Sequence, residues 1–262
     1  MLDLKQIEVY YPEPVRSFKK NILREYLQYK ILAIIFDTRH CEKLAFMGGT
    51  AIRIIYGNNR FSEDLDFDNF RLTENNFKEI TRIIQKNLIQ EGYSIEIKNV
   101  FKHAFHCSIS FQNLLYENGI SNHREEKLMV RFDTEPQGIA YNPDKIIINK
   151  FDVFTRINVV PKDMLLAQKL FAIINRKRSM GRDLFDTIFL FSQTKPDFDY
   201  LREKANISNM TELREILLTK CEAIKITNLS KDVEPFLVNP GEAKKILLFR
   251  EYIENSLIED EK

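Results

Sequence analysis

Asp64-Leu65-Asp66-Phe67-Asp68, with Gly48-Gly49-Thr50-Ala51 a short distance before it, constrains this chain more than any other stretch. Acidic and apolar residues alternate with a period of two, the period of a β-strand. Leu65 and Phe67 then share a packable face, while Asp64, Asp66 and Asp68 share the other, about 6.5–7 Å between neighbours along the backbone. Like charges crowded on one strand repel, so the acidic face calls for a cation. Two carboxylates on a rigid element can share divalent ions that clamp the attacking and leaving oxygens of a phosphoryl displacement. The Gly48-Gly49 pair would turn a strand into a helix. Lacking Cβ atoms, its backbone can approach a phosphate, and the free N–H groups at the helix start face the anion. Alone, a Gly-Gly pair is a turn and an acidic strand is a guarded sheet edge. Together they read as a nucleotide site.

The elements around this stretch form an α/β pattern. Residues 15–39 carry Phe18, Ile22, Tyr26, Tyr29 and Ala33 at helical spacing. A short strand over 43–47 feeds the glycine turn, a helix spans 50–56, and the acidic strand covers 61–68. Thr73 caps a helix running to about residue 90. Segments 93–101, 104–111, 127–133 and 145–154 are rich in β-branched and aromatic residues and suit a mixed sheet. At Pro161 the pattern changes to helices: 162–177, 182–193, 198–206, 211–225 and 241–257. The reading is an α/β domain over 1–160 and a helical bundle over 161–262.

The stretch FMGGTAIRIIYGNNRFSEDLDFD resembles the signature of the AbiEii/AbiGii toxin nucleotidyltransferases, a branch of the DNA polymerase β-like nucleotidyltransferase superfamily. Gly48, Gly49, Thr50, Arg53, Arg60, Ser62, Asp64, Asp66 and Phe67 all fall on its pattern. A second stretch over 165–190, LLAQKLFAIINRKRSMGRDLFDTIFL, resembles the family's second signature and carries Lys169 and Asp183, with Asp186 a further match. The resemblance implies a polymerase β-like fold and a toxin that moves an NMP from an NTP, with Mg²⁺ or Mn²⁺, to an acceptor. Relatives modify tRNA ends, which makes RNA the expected acceptor and a cognate antitoxin the expected protein partner.

The resemblance also implies roles. Asp64 and Asp66 hold the metal; Gly48, Gly49, Thr50, Arg53 and Ser62 bind the nucleotide; Lys169 neutralises triphosphate charge; and Asp183 orients Lys169 or the nucleotide. Such metal sites take a third carboxylate from a later strand. Asp133, at the end of LMVRFD, is the first candidate, with Asp152 and Asp68 as alternatives. From the residues alone, Asp183 and Asp186 read as helix N-terminal acids, with an Arg182–Asp186 i,i+4 pair. Lys169, Arg176, Lys177, Arg178 and Arg182 form the densest basic stretch, suited to triphosphate or an RNA backbone; Arg176 and Arg182 are assigned to the nucleotide.

The whole-chain balance, 39 Lys+Arg against 38 Asp+Glu, supplies no global field for nucleic acid. Cys41, Cys107 and Cys221, an odd number without a Cys-x-x-Cys, point to reduced thiols and a cytoplasmic protein. No membrane span or signal peptide is expected. His103 and His106, three apart in a β region, fall on opposite faces and make a poor zinc pair. Two other function classes remain open: a phosphotransferase moving the γ-phosphoryl group to a protein, and an idle binding module that keeps the fold.

Overall fold

The computed structural model describes residues 2–256. The chain divides into two compact units, Met1–Tyr56 with Phe61–Val160, and Gly57–Arg60 with Pro161–Lys262.

In the first unit, among the described residues, seven strands form one mixed sheet. They are β1 (Leu44–Met47), β2 (Leu65–Asn69), β3 (Ile95–Phe101), β4 (Phe105–Phe111), β5 (Leu128–Glu135), β6 (Asp144–Lys150) and β7 (Val153–Val159). Their order is β3-β4-β5-β2-β1-β7-β6. β2 runs antiparallel to β1 and parallel to β5, so the acidic strand is central and flanked on both sides. The sheet's apolar face is covered by α1 (Lys19–Phe36) and α3 (Glu74–Gln90), while α2 (Gly48–Tyr56) follows β1 directly. Phe67 is fully buried there, its ring 5.2 Å from Phe132 and 5.4 Å from Phe46. Phe77 of α3 stacks on Phe132 at 4.8 Å. Each such ring contributes roughly 1.5–3 kcal/mol through burial, enough to fix which face of β2 points inward. Thr73 caps α3 by accepting from the Asn76 N–H.

Two strands depart most from the sequence reading. The acidic strand begins at Leu65, not at residue 61, so Asp64 lies just ahead of it. Side chains already satisfy the backbone there: the Ser62 carbonyl accepts from Gln28 Nε2 at 3.0 Å, and the Asp64 carbonyl accepts from the Thr50 hydroxyl. A ladder is therefore unnecessary at those positions. The single strand expected over 145–154 is instead the β6–β7 hairpin, turning at Phe151-Asp152. Phe151 takes φ +60°, which no glycine or asparagine announces. Its ring is held among Tyr10, Tyr11, Tyr26 and Tyr29, at 4.9–6.0 Å. Packing supplies what the turn sequence lacks.

The second unit is helical: α4 (Lys162–Asn175), α5 (Gly181–Phe191), then Phe198–Ala205, Met210–Ala223, Ile226–Val233 and Phe249–Ser256. Ile226–Val233 was not anticipated, because two turns offer only Ile226, Leu229 and Val233 as a pattern. The helix expected over 241–257 is broken into Pro240–Ala243, Lys244–Leu247 and Phe249–Ser256, and residue 257 lies outside the described residues.

Candidate active site

In the first unit, the site is built where β1 ends, α2 begins and β2 meets β5. Asp66 is in register with Met47 on one side and with Asp133 on the other. Adjacent strands lie about 4.8 Å apart, so Asp66 and Asp133 are cross-strand neighbours on the polar face. Gly48, at φ +78°, opens α2 against Asp66: a Cβ there would collide with Asp66 Oδ2 and come within 3.0 Å of its Cβ and Cγ. Glycine is required on both counts, a left-handed backbone and a missing side chain. Substituting Gly48→Ala is expected to cost at least about 1–2 kcal/mol from the backbone alone. Part of the loss should return in a Gly48→Ala/Asp66→Ala double variant, measured by urea unfolding.

Asp64 and Asp133 each have a partner that sequence reasoning missed. Arg131 of β5 grips Asp64 with both arms, Nε to Oδ1 at 2.9 Å and Nη2 to Oδ2, and lies 3.9 Å from Asp133 Oδ2. Asp64 holds the guanidinium more firmly protonated than an ordinary arginine. His106 of β4, in register with Asp133, places Nδ1 3.0 Å from Asp133 Oδ1. Burial pushes the Asp133 carboxyl above the usual carboxylate range, although His106 and Arg131 oppose the shift. Arg131 was within reach of the alternation, since it sits two residues from Asp133 on the same face. His106 was not, because the β4–β5 register is non-local.

The three candidates for a third carboxylate have different neighbours. Asp68 is buried and saturated, accepting from the Asn69 and Gln137 N–H groups at 2.7 and 2.8 Å and from the Tyr141 hydroxyl at 2.7 Å. Asp152, at the β6–β7 turn, is 3.3 Å from both Tyr26 Oη and Lys30 Nζ. Asp133 alone of the three is the register neighbour of Asp66. Asp64, Asp66 and Asp133 offer the hard oxygen donors that Mg²⁺ takes, so the donor set suits the ion. As arranged, no three His, Cys, Asp or Glu groups among the described residues gather as a metal-holding set, and a guanidinium sits on Asp64.

Some of the residues assigned to the nucleotide also have structural duties. The Thr50 hydroxyl donates to the Asp64 carbonyl, tying α2 to the start of β2. Arg53 pairs with Glu25 and lies over the Phe61 ring at 4.1 Å. Glu25 also accepts from Tyr11 Oη at 2.7 Å and Lys150 Nζ at 2.8 Å. Burial opposes its ionisation, but Arg53 and Lys150 outweigh that and hold its carboxyl below the ordinary range. Gly49 is buried in the first turn of α2, and Ser62 is partly exposed just ahead of Asp64.

In the second unit, Lys169, Asp183 and Asp186 come together with two residues not foreseen beside them. Lys169 Nζ lies 3.1 Å from Asp183 Oδ1 and 2.9 Å from Asp186 Oδ2. Arg60 grips Asp186 with Nε at 2.6 Å and Nη2 at 2.5 Å, and Asn58 adds a third donor at 2.9 Å. The Arg182–Asp186 pair is thus replaced by Arg60–Asp186, and Arg182 lies 5.1 Å over the Phe236 ring. Arg176 Nη1 reaches Asp183 Oδ2 at 2.7 Å. Asp186 is fully buried and Arg60 is 2% exposed. Burial would neutralise both Asp186 and Lys169. The opposite charges win, holding Asp186 below and Lys169 above their ordinary values. Three cations against two carboxylates leave the cluster with a surplus positive charge.

A central acidic strand, a glycine-opened helix packed on it, and a carboxylate neighbour from a parallel strand define a nucleotidyltransferase-like arrangement. The chain belongs to the family described as nucleotidyl transferase AbiEii toxin, type IV toxin–antitoxin system, whose pattern matches residues 30–238. Among solved structures, it resembles JHP933 from Helicobacter pylori at 19% identity and a TM-score of 0.56, covering 91% of this chain and 93% of that one. A second H. pylori protein, described provisionally as a nucleotidyltransferase, is 20% identical with a TM-score of 0.55, covering 91% and 96%. At such identities the likeness concerns the fold. No curated protein matches. No helix among the described residues is long and apolar enough to cross a membrane.

Proposed function

We propose that this chain is a toxin enzyme that transfers an NMP from an NTP to an RNA acceptor with the help of Mg²⁺ or Mn²⁺. The observation that carries this reading is the register of Asp66 beside Asp133, with the backbone of Gly48 laid against Asp66. Asp64, Asp66 and Asp133 would hold the metal, which supplies positive charge to the triphosphate and to the oxygens exchanging at phosphorus. Gly48 and Gly49 present N–H groups of the α2 N-terminus to the phosphates, with the Ser62 hydroxyl nearby. The acceptor hydroxyl oxygen attacks the α-phosphorus, the bond from that phosphorus to the α–β bridging oxygen breaks, and pyrophosphate leaves. The hydroxyl proton passes to the Asp133 carboxylate, the register neighbour of Asp66.

Lys169 is assigned to the departing pyrophosphate, and Asp183 to holding the Lys169 ammonium in place. Arg176, half exposed, and Arg182 are assigned to anionic substrate as part of the basic stretch, with Lys177 and Arg178 between them in sequence. The 3′ end of tRNA is the acceptor this reading favours, and a cognate antitoxin in the cytoplasm is its counterpart; the family's toxin–antitoxin description supports both the toxin role and the antitoxin. The deciding experiment incubates the protein and Mg²⁺ with NTPs labelled at either the α or the γ phosphate, in the presence of total RNA and lysate protein. Label from the α position in RNA is the expected result. Label from the γ position in protein would make the chain a protein phosphotransferase, and no transfer of either label would leave a binding module.

A further inference from the structure

The acidic face of β2 carries its own counter-ion, and that ion is a side chain. Arg131 meets both oxygens of Asp64 and lies 3.9 Å from Asp133. It therefore stands at two of the three carboxylates assigned to the metal. A guanidinium and a divalent cation at the same oxygens repel each other strongly, because their like charges are brought within a few ångströms. One must yield. The arginine is the mobile party: its side chain is 51% exposed, and it projects from the polar face of β5 beside Ser108 of β4. Swinging away costs it little burial, and its charge finds a new partner in an anionic ligand, for which the planar fork is well shaped.

We propose that Arg131 and a divalent cation bind Asp64 in mutual exclusion, so that Arg131 guards the empty carboxylate site and turns to the nucleotide's phosphates when the cation displaces it. This rests on the metal assignment made above. It gives Arg131 two states: counter-ion without the cation, phosphate ligand with it. The cation and the triphosphate then reinforce each other, since each favours the state in which Arg131 has left Asp64.

The test is calorimetric titration of Mn²⁺ alone into the wild type and into Arg131→Gln and Arg131→Lys, followed by titration of a non-hydrolysable NTP analogue with and without Mn²⁺. Arg131→Gln should bind Mn²⁺ about tenfold more tightly than the wild type. Arg131→Lys, which keeps the charge but loses the fork, should fall between them and confirms that a folded site is being measured. Mn²⁺ should sharpen binding of the analogue in the wild type, and this gain should shrink in Arg131→Gln. Equal or weaker Mn²⁺ binding by Arg131→Gln overturns the exclusion while leaving the metal site in place. An analogue gain that survives in Arg131→Gln overturns the phosphate-binding state. Failure of every protein, wild type included, to bind Mn²⁺ removes the metal assignment and this inference together.

Discussion

Replacing Asp186 by Asn is expected to destabilise the protein by about 3–5 kcal/mol, the scale of breaking a buried ion pair from one side. The substitution keeps shape and volume but removes the charge that faces Lys169 at 2.9 Å and Arg60 at 2.5 Å. Two cations are then left in a buried place with too little compensation. The pH dependence follows from the sign of the shift. The folded-state pKa of Asp186 is depressed, so its contribution is present above the ordinary aspartate value of about 3.9 and is lost as the pH falls through the folded-state value. Urea unfolding between neutral and strongly acidic pH should therefore show the wild type losing this increment while Asp186→Asn has none to lose. A loss near zero at pH 7 would show that Lys169 and Arg60 are neutralised by other means.

Replacing Asp66 by Ala should act on turnover instead of stability. Asp66 sits at the centre of the proposed site, between Met47 and Asp133, and its removal would delete a proposed ligand of the metal, whose charge would be worth several kcal/mol to charge development at phosphorus. A fall of about a thousandfold or more in the rate of label transfer is expected. The melting temperature should change little, since the buried face of β2 is carried by Leu65 and Phe67. Steady-state transfer from α-labelled NTP, beside a thermal melt in EDTA, measures both. Wild-type turnover in Asp66→Ala would place the chemistry elsewhere.

How much of this was legible beforehand depends on whether a signal was local. The alternation in Asp64–Asp68 and the Gly48-Gly49 turn are written in consecutive residues, and both were readable. So was the need for a cation on the acidic face; that Arg131 meets it depends on where β5 pairs, although Arg131 and Asp133 share a face by the same alternation. Pairings across distant strands were out of reach. The sequence puts Asp133 ahead of Asp152 and Asp68, but the β2–β5 register and the saturated hydrogen bonds of Asp68, which separate their surroundings, are not written in it. The β6–β7 turn was missed because its strain is met by four distant tyrosines and not by its own residues. Arg60 was recognised as part of a signature without its partner, because Asp186 lies 126 positions along the chain.

The path of residues 57–60 bears on how such a protein can be inherited. These four residues fall between α2 and β2 in sequence, yet belong to the unit formed by Pro161 onward. Two of them, Asn58 and Arg60, supply donors to Asp186. A gene fragment starting at codon 161 would encode the helices while omitting Arg60, one of the two cations that face Asp186, and the Asn58 donor beside it. Recombination at that point would thus deliver a broken piece, not a portable module. The stretch that carries the acidic-strand signature also carries the Arg60 that meets the helical signature at Asp186, so the two signatures depend on each other as one structural block.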